Sequence, residues 1–276
     1  GDHVSDRAPA KFAMALPRLL AGLLIAGAAH AQGGPGAPAP DARSRAPVDL
    51  TGYWVAVVTE DWRYRMMTPD KGDFTGIALN GAGRALMQKW DPARDQVNGE
   101  ECRAYGAAAI MRLPTRLHIT WQDASTLKLD TDAGEQTRLL HFTAGASHDM
   151  APSWQGYSAA GWEGLRGRGG FGGVTAGLPT TAGLASGARA PTQDGYLKVL
   201  TTQLRPGYLR KNGVPYGAST AVEEYFDSFR EPNGDTWLVV TSIVNDPEFL
   251  DQPFITSSQF KKTDASKWNP TPCQAK

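Results

Sequence analysis

The sequence has no excess charge of either sign. It carries 28 Lys+Arg against 28 Asp+Glu, so its formal net charge is zero. A broad electrostatic field for nucleic acid or an anionic membrane surface is thereby excluded. Cysteine is scarce, with only Cys102 and Cys273. Neither has a second Cys or His at zinc-ligand spacing, so a metal site is not expected. Histidine is also sparse, at five in 276 residues. A nucleotide fingerprint is missing as well. The GxGG runs near residue 168 follow no strand and open no helix, so they are not a dinucleotide motif. No cofactor is expected. Nor is there an apolar run of the roughly 20 residues that a membrane-spanning helix needs.

The chain does contain a short apolar run, Leu19 to Ala29, behind Met14 and Arg18. Ala29-His30-Ala31 follows it as a small-x-small cleavage site. That order reads as a signal peptide over 14–31, with a mature chain starting at Gln32 and exported to the periplasm or beyond. No cysteine follows the site, so no stable membrane anchor is expected. In an oxidising compartment the two cysteines are expected to pair, Cys102 with Cys273. Two free thiols or two metal ligands are the alternatives.

Gln32 to Pro47 is Gly, Pro and Ala with little to bury, and is expected to be a disordered leader. Residues 48–276 then form a single β domain. Val55–Thr59 reads as a β-rich strand, Arg116–Trp121 and Thr126–Thr131 alternate and read as strands, and 136–143, 196–204, 219–229, 236–244 and 254–261 are further strands. Trp62, Tyr64 and Met66 alternate with Arg63 and Arg65 and read as a strand too. Pro232-Asn233-Gly234-Asp235 is a hairpin turn. One short helix is expected after Asn80, stopped by Asp91-Pro92. Residues 164–191 are glycine-rich without periodicity and read as a surface insertion. The fold class is all-β, an antiparallel barrel or strongly curved sheet with one short helix. A two-sheet β-sandwich is the alternative.

Several motifs occur together: Asp49-Leu50-Thr51-Gly52-Tyr53-Trp54, Trp90-Asp91-Pro92, Cys102-Arg103-Ala104-Tyr105-Gly106, Pro152-Ser153-Trp154-Gln155-Gly156-Tyr157-Ser158, Trp162-Glu163, Glu224-Tyr225-Phe226 and Asp246-Pro247. In these the chain resembles a group of uncharacterised secreted bacterial proteins with lipocalin-like β architecture, from Asp49 to about Lys262. The resemblance implies a barrel and export. It implies no reaction. The group usually has His at the position of Tyr157, where this chain offers a phenol instead.

Barrels of this size often hold one small ligand. Trp54, Trp62, Tyr64, Trp121, Trp154, Tyr157 and Trp162 are the candidate walls for a small apolar or aromatic molecule. A binding module for such a molecule is the first functional expectation. The second is a cofactor-free lyase, isomerase or hydrolase. It would use His118 and His141, brought together on inward faces of neighbouring strands, with an inward Glu224 as base. The histidine pair could also bind a metal with Asp130 or Glu163. Two separate, hydrogen-bonded histidines on a half-buried sheet, and an ion pair of that glutamate with Arg116 or Arg138, are the structural alternatives. A structural envelope protein with a filled core is the third expectation.

Overall fold

A computed structural model describes residues 41–143, 151–164 and 195–276. The expected signal peptide and the interior of the glycine-rich insertion lie outside the described residues, as does His148. Nine strands form one closed barrel. In chain order they are β1 (Gly52–Val57), β2 (Arg116–Trp121), β3 (Thr126–Thr131), β4 (Thr137–His141), β5 (Tyr157–Glu163), β6 (Tyr196–Thr202), β9 (Ala221–Arg230), β10 (Thr236–Asn245) and β11 (Phe254–Thr263). Around the barrel the order is β1-β11-β10-β9-β6-β5-β4-β3-β2, and β1 pairs with both β2 and β11 to close it. Every seam is antiparallel except β4–β5, where Leu140 faces Ser158 and His141 faces Ala159 in parallel. A separate hairpin joins β7 (Gly207–Arg210) to β8 (Val214–Tyr216).

Alternation of side chains explains the lumen. On β9, Val222, Glu224, Phe226 and Ser228 are buried while Ala221, Glu223 and Tyr225 are not. Leu238 and Val240 on β10, Leu117 and Ile119 on β2, and Leu127 and Leu129 on β3 meet them inside. Trp54 also lies in this core, fully buried, with its indole N–H donating to the Leu50 carbonyl at 2.9 Å.

Apart from a 3-10 turn at Ala265–Lys267 after β11, the remaining described elements form a layer over one end of the barrel. They are α1 (Trp62–Arg65), α2 (Gly81–Met87), α3 (Pro92–Val97), the 3-10 turns Glu101–Ala104 and Ile110–Arg112, and the β7–β8 hairpin. Their apolar side chains, among them Leu79, Met87, Leu209 and Tyr216, pack with Val222, Val244 and Phe254 in a second core cluster. The helix expected after Asn80 is α2, and the Asn80 side chain accepts from the Gly83 N–H as its N-cap. Asn80 also donates to the Glu248 carbonyl, which fastens the layer to the barrel. Gly213 turns the hairpin at φ +82°, and a Cβ there would overlap the Trp90 indole, so only glycine fits.

Three expectations need correction. Among the described residues two further short helices, α1 and α3, accompany the expected one. The Trp62–Arg65 segment is one of them: Asp61 enters it at φ 51° and its carbonyl accepts from the Tyr64 and Arg65 N–H groups, so the alternation in sequence is that of a single helical turn. Strands β5, β7 and β8 carry no clear alternation in sequence and were not expected. Residues 41–47, placed in a disordered leader, form ordered turns instead. Ala42 is buried, its carbonyl accepts from the Trp162 indole at 2.8 Å, and Arg43 N–H donates to Ala124.

Candidate functional site

Three buried arginines come together in the layer over the barrel end. Arg65 ends α1, Arg112 ends the 3-10 turn Ile110–Arg112, and Arg210 ends β7. Each is held by its neighbours in sequence. Ile110 and Met111 are buried and anchor Arg112. A register irregularity between Tyr208 and Arg210 re-aims the end of β7. Asn212, fully buried, donates to the carbonyls of Asp70 and Asp73 and ties the hairpin to the loop after α1.

Little counter-charge answers these cations. Arg112 Nη2 pairs with Asp61 Oδ2 at 2.8 Å, and that carboxylate is half-exposed. Arg65 Nε donates to the Arg112 carbonyl at 2.9 Å, and Arg210 Nη2 to the Thr75 carbonyl at 2.8 Å. Arg210 also stacks its guanidinium over the Tyr64 ring, 4.4 Å from the centroid. Arg65 Nη1 and Nη2 and Arg210 Nε and Nη1 have no protein partner although buried. Burial lowers the pKa of Arg65 and Arg210 below the usual guanidinium value, and the neighbouring Arg112 charge adds to that. Guanidinium pKa values start so high that both stay charged.

Two cavities adjoin the cluster, and Tyr64, Arg112 and Arg210 line both. The first, about 280 Å³, has Arg65, Met66, Met67, Leu113, Leu209 and Pro272 among its walls. The second, about 440 Å³, has Glu60, Asp61, Thr75, Thr241, Thr256 and Ser257. Pre-placed planar N–H forks beside a cavity suit a carboxylate or a phosphate, which such forks can bind in bidentate fashion.

One wall depends on the disulfide. Cys102 and Cys273 are bonded, as expected. Tyr105, just after Cys102, and Pro272 and Gln274, on either side of Cys273, line the first cavity. The tail is further held by Thr271, whose N–H donates to Asp132 and whose carbonyl accepts from Gly134, and by Gln274 N–H donating to the Tyr105 hydroxyl.

The acid–base trio of the sequence reading does not assemble. His118 and His141 meet only if both of their strand faces turn inward. They stand on the outer face instead, because Leu117 and Ile119, and Arg138 and Leu140, take the inward positions of their strands. His118 stacks on Tyr53 with ring centroids 4.0 Å apart and meets the edge of Trp268. His141 stacks on Tyr157 at 5.0 Å. Opposite β3, His118 faces Asp130 and His141 faces Thr126, so the two imidazoles sit at different ends of that strand. Glu224 does point inward and is fully buried. Arg138 meets it from across the lumen, Nη2 to Oε2 at 2.5 Å and Nη1 to Oε1 at 3.2 Å. Thr201 accepts from Arg138 at 3.2 Å and shares a 2.7 Å hydrogen bond with Ser158. The carboxylate is thus fully engaged by an ion pair.

The aromatic wall is dispersed as well. Of its seven members only Tyr64 lines the arginine cavities. Trp54 fills the lumen. Trp62 is exposed. Trp121 and Trp162 cluster with Phe142 at the far end of the barrel. Trp154 lies under the Arg205 guanidinium at 4.3 Å, and Tyr157 is occupied by His141. The arginines were missed because they lie far apart in sequence. The available signal was an arginine set among apolar neighbours, Ala-Ile-Met-Arg-Leu-Pro at 109–114 and Tyr-Leu-Arg at 208–210.

Among the described residues no helix is long and apolar enough to cross a membrane, and no group of three or more His, Cys, Asp or Glu is placed to hold a metal ion. The class that fold and site define is a closed nine-stranded β-barrel with an arginine-lined cleft outside its lumen. No protein-family model matches the chain, and neither a curated protein nor a solved structure matches it.

Proposed function

We propose that this chain is an exported binding module for a small molecule that joins an anionic group to an apolar or aromatic body, taken in the arginine cleft and not in the lumen. One observation carries the reading. Arg65 and Arg210, 5% and 7% exposed, carry N–H groups with no protein partner and line a cavity of about 280 Å³. Leaving buried donors unpaired costs roughly 1–3 kcal/mol each, more when charged, so a site that keeps them is suited to an anion that would satisfy them. Met66, Met67 and Leu209 offer the apolar contact, and the Tyr64 ring the aromatic one. Export is supported by the signal-like segment 14–31 and by the disulfide.

Titration calorimetry tests the reading with octanoate, benzoate and octyl phosphate, against octylamine and octanol. Saturable binding of the acids alone, weakened at least tenfold in Arg210→Met, is the expected result. Equal binding of amine and acid rejects it. A structural protein is the second reading, favoured by the packed lumen, and it would be left standing if no acid binds.

A further inference from the structure

The two cavities that share the arginine cluster differ in chemistry. The first sets Met66, Met67, Leu113, Leu209 and Pro272 on part of its wall, beside Thr68, Lys211, Thr271 and Gln274. The second has the hydroxyls of Thr75, Thr241, Thr256 and Ser257, with the carboxylates of Glu60 and Asp61. The cations stand between an apolar lobe and a hydroxylated one, and Tyr64, Arg112 and Arg210 belong to both. An acid with a terminal charge would use the arginines and the apolar lobe only. A free sugar phosphate would use the arginines and the hydroxylated lobe only.

We infer that the ligand carries its charge in the middle, as a phosphodiester joining a neutral polyhydroxyl head to an apolar chain. This rests on the arginine cleft being the binding site. The diester oxygens take the free N–H groups of Arg65 and Arg210. The chain lies along Met66, Met67 and Leu209. The head exchanges hydrogen bonds with the hydroxyl-bearing wall, whose members can both donate and accept. Glu60 and Asp61 set the charge of the head. They accept from hydroxyls and repel a second phosphate or a carboxylate. Thr241 and Ser257 are directly opposite one another on β10 and β11, so they form a paired hydroxyl patch.

The experiment compares three singly charged phosphodiesters by calorimetry on the disulfide-bonded protein: octyl glyceryl phosphate, octyl methyl phosphate and glyceryl methyl phosphate. The first should bind at least tenfold more tightly than either of the others. In Thr241→Val/Ser257→Ala, octyl glyceryl phosphate should fall to the affinity of octyl methyl phosphate, which should itself be unchanged. In Met67→Asp, both octyl compounds should weaken and glyceryl methyl phosphate should not. If octyl methyl phosphate binds as tightly as octyl glyceryl phosphate, or the ethanolamine analogue binds more tightly, the hydroxylated-head inference is overturned while the cleft remains an anion site. If neither the diesters nor octanoate and benzoate bind, the cleft reading itself falls.

Discussion

Arg138 in the lumen and Arg210 in the outer layer are both buried arginines, yet their surroundings are opposite. Arg138 faces Glu224, Thr201 and a wall of hydrocarbon, and two of its three guanidinium nitrogens are bonded to a carboxylate. Arg210 has a single carbonyl, an aromatic face and a cavity. A buried charge that is matched inside the protein serves the fold, because nothing outside can reach it. A buried charge that is unmatched and borders open space is a place where the fold has left an interaction for something else. The comparison separates two kinds of arginine that composition counts alike.

The largest expected effect breaks the matched pair. Glu224→Leu strands the Arg138 cation in the lumen and should lower stability by about 3–5 kcal/mol, measured by urea unfolding. The double variant Glu224→Leu/Arg138→Met should recover most of that loss, since a well-packed apolar pair is often as stable as a buried ion pair. Double-variant stability no better than the single one would show that the polar belt of Thr201, Ser158 and Ser242, whose hydroxyl donates to Glu224 at 3.5 Å, needs the pair. Removing the Cys102–Cys273 bond with Cys102→Ser/Cys273→Ser comes next, at roughly 2–5 kcal/mol, because it closes a long loop. Its thermal unfolding should shift while far-ultraviolet dichroism still reports the barrel.

The unmatched side should respond in the reverse sense. Arg210→Met should leave stability within about 1 kcal/mol of the parent or raise it, because removing two donors that have no partner offsets the lost bond to the Thr75 carbonyl and the lost stack on Tyr64. The same change should weaken octanoate binding at least tenfold, which is about 1.4 kcal/mol. Stability that falls while affinity holds would assign Arg210 to the fold. The smallest effect on binding belongs to His118→Ala. It removes a stacked ring on the outer face, and should cost about 0.5–1.5 kcal/mol with no change in ligand affinity.

Much of the barrel could be read from the chain. Strands β2 and β3 alternate in sequence, and β9 and β10 bury every second residue along most of their length, because one face of each meets the packed lumen and the other is more exposed. The disulfide could be read from having only two cysteines. What alternation does not give is which face turns inward. His118 shares its strand face with Arg116 and Thr120, and His141 with Thr137 and Leu139, while Leu117, Ile119, Arg138 and Leu140 take the lumen. Glu224 was legible as inward, and its pairing with Arg138 stood among the readings of the sequence. Strand β5 was missed because Tyr-Ser-Ala-Ala-Gly-Trp is short of branched residues, and its pairing comes from the neighbouring strands. The arginine cleft was illegible for a different reason. It is assembled from residues 65, 112 and 210, and only the closed barrel with its covering layer brings them together.

The lone parallel seam has a consequence of parity. A ring with an odd number of strands cannot alternate direction all the way round, so nine strands must include at least one parallel neighbour. That neighbour is β4–β5, which is held by two register pairs where β9–β10 has ten. Parallel pairing is also slightly weaker per residue. The barrel therefore has a built-in fault line, and β4–β5 is where it should open first. Its amides should exchange with deuterium well before those of β9 and β10, and a chain folding stepwise should zip this seam last.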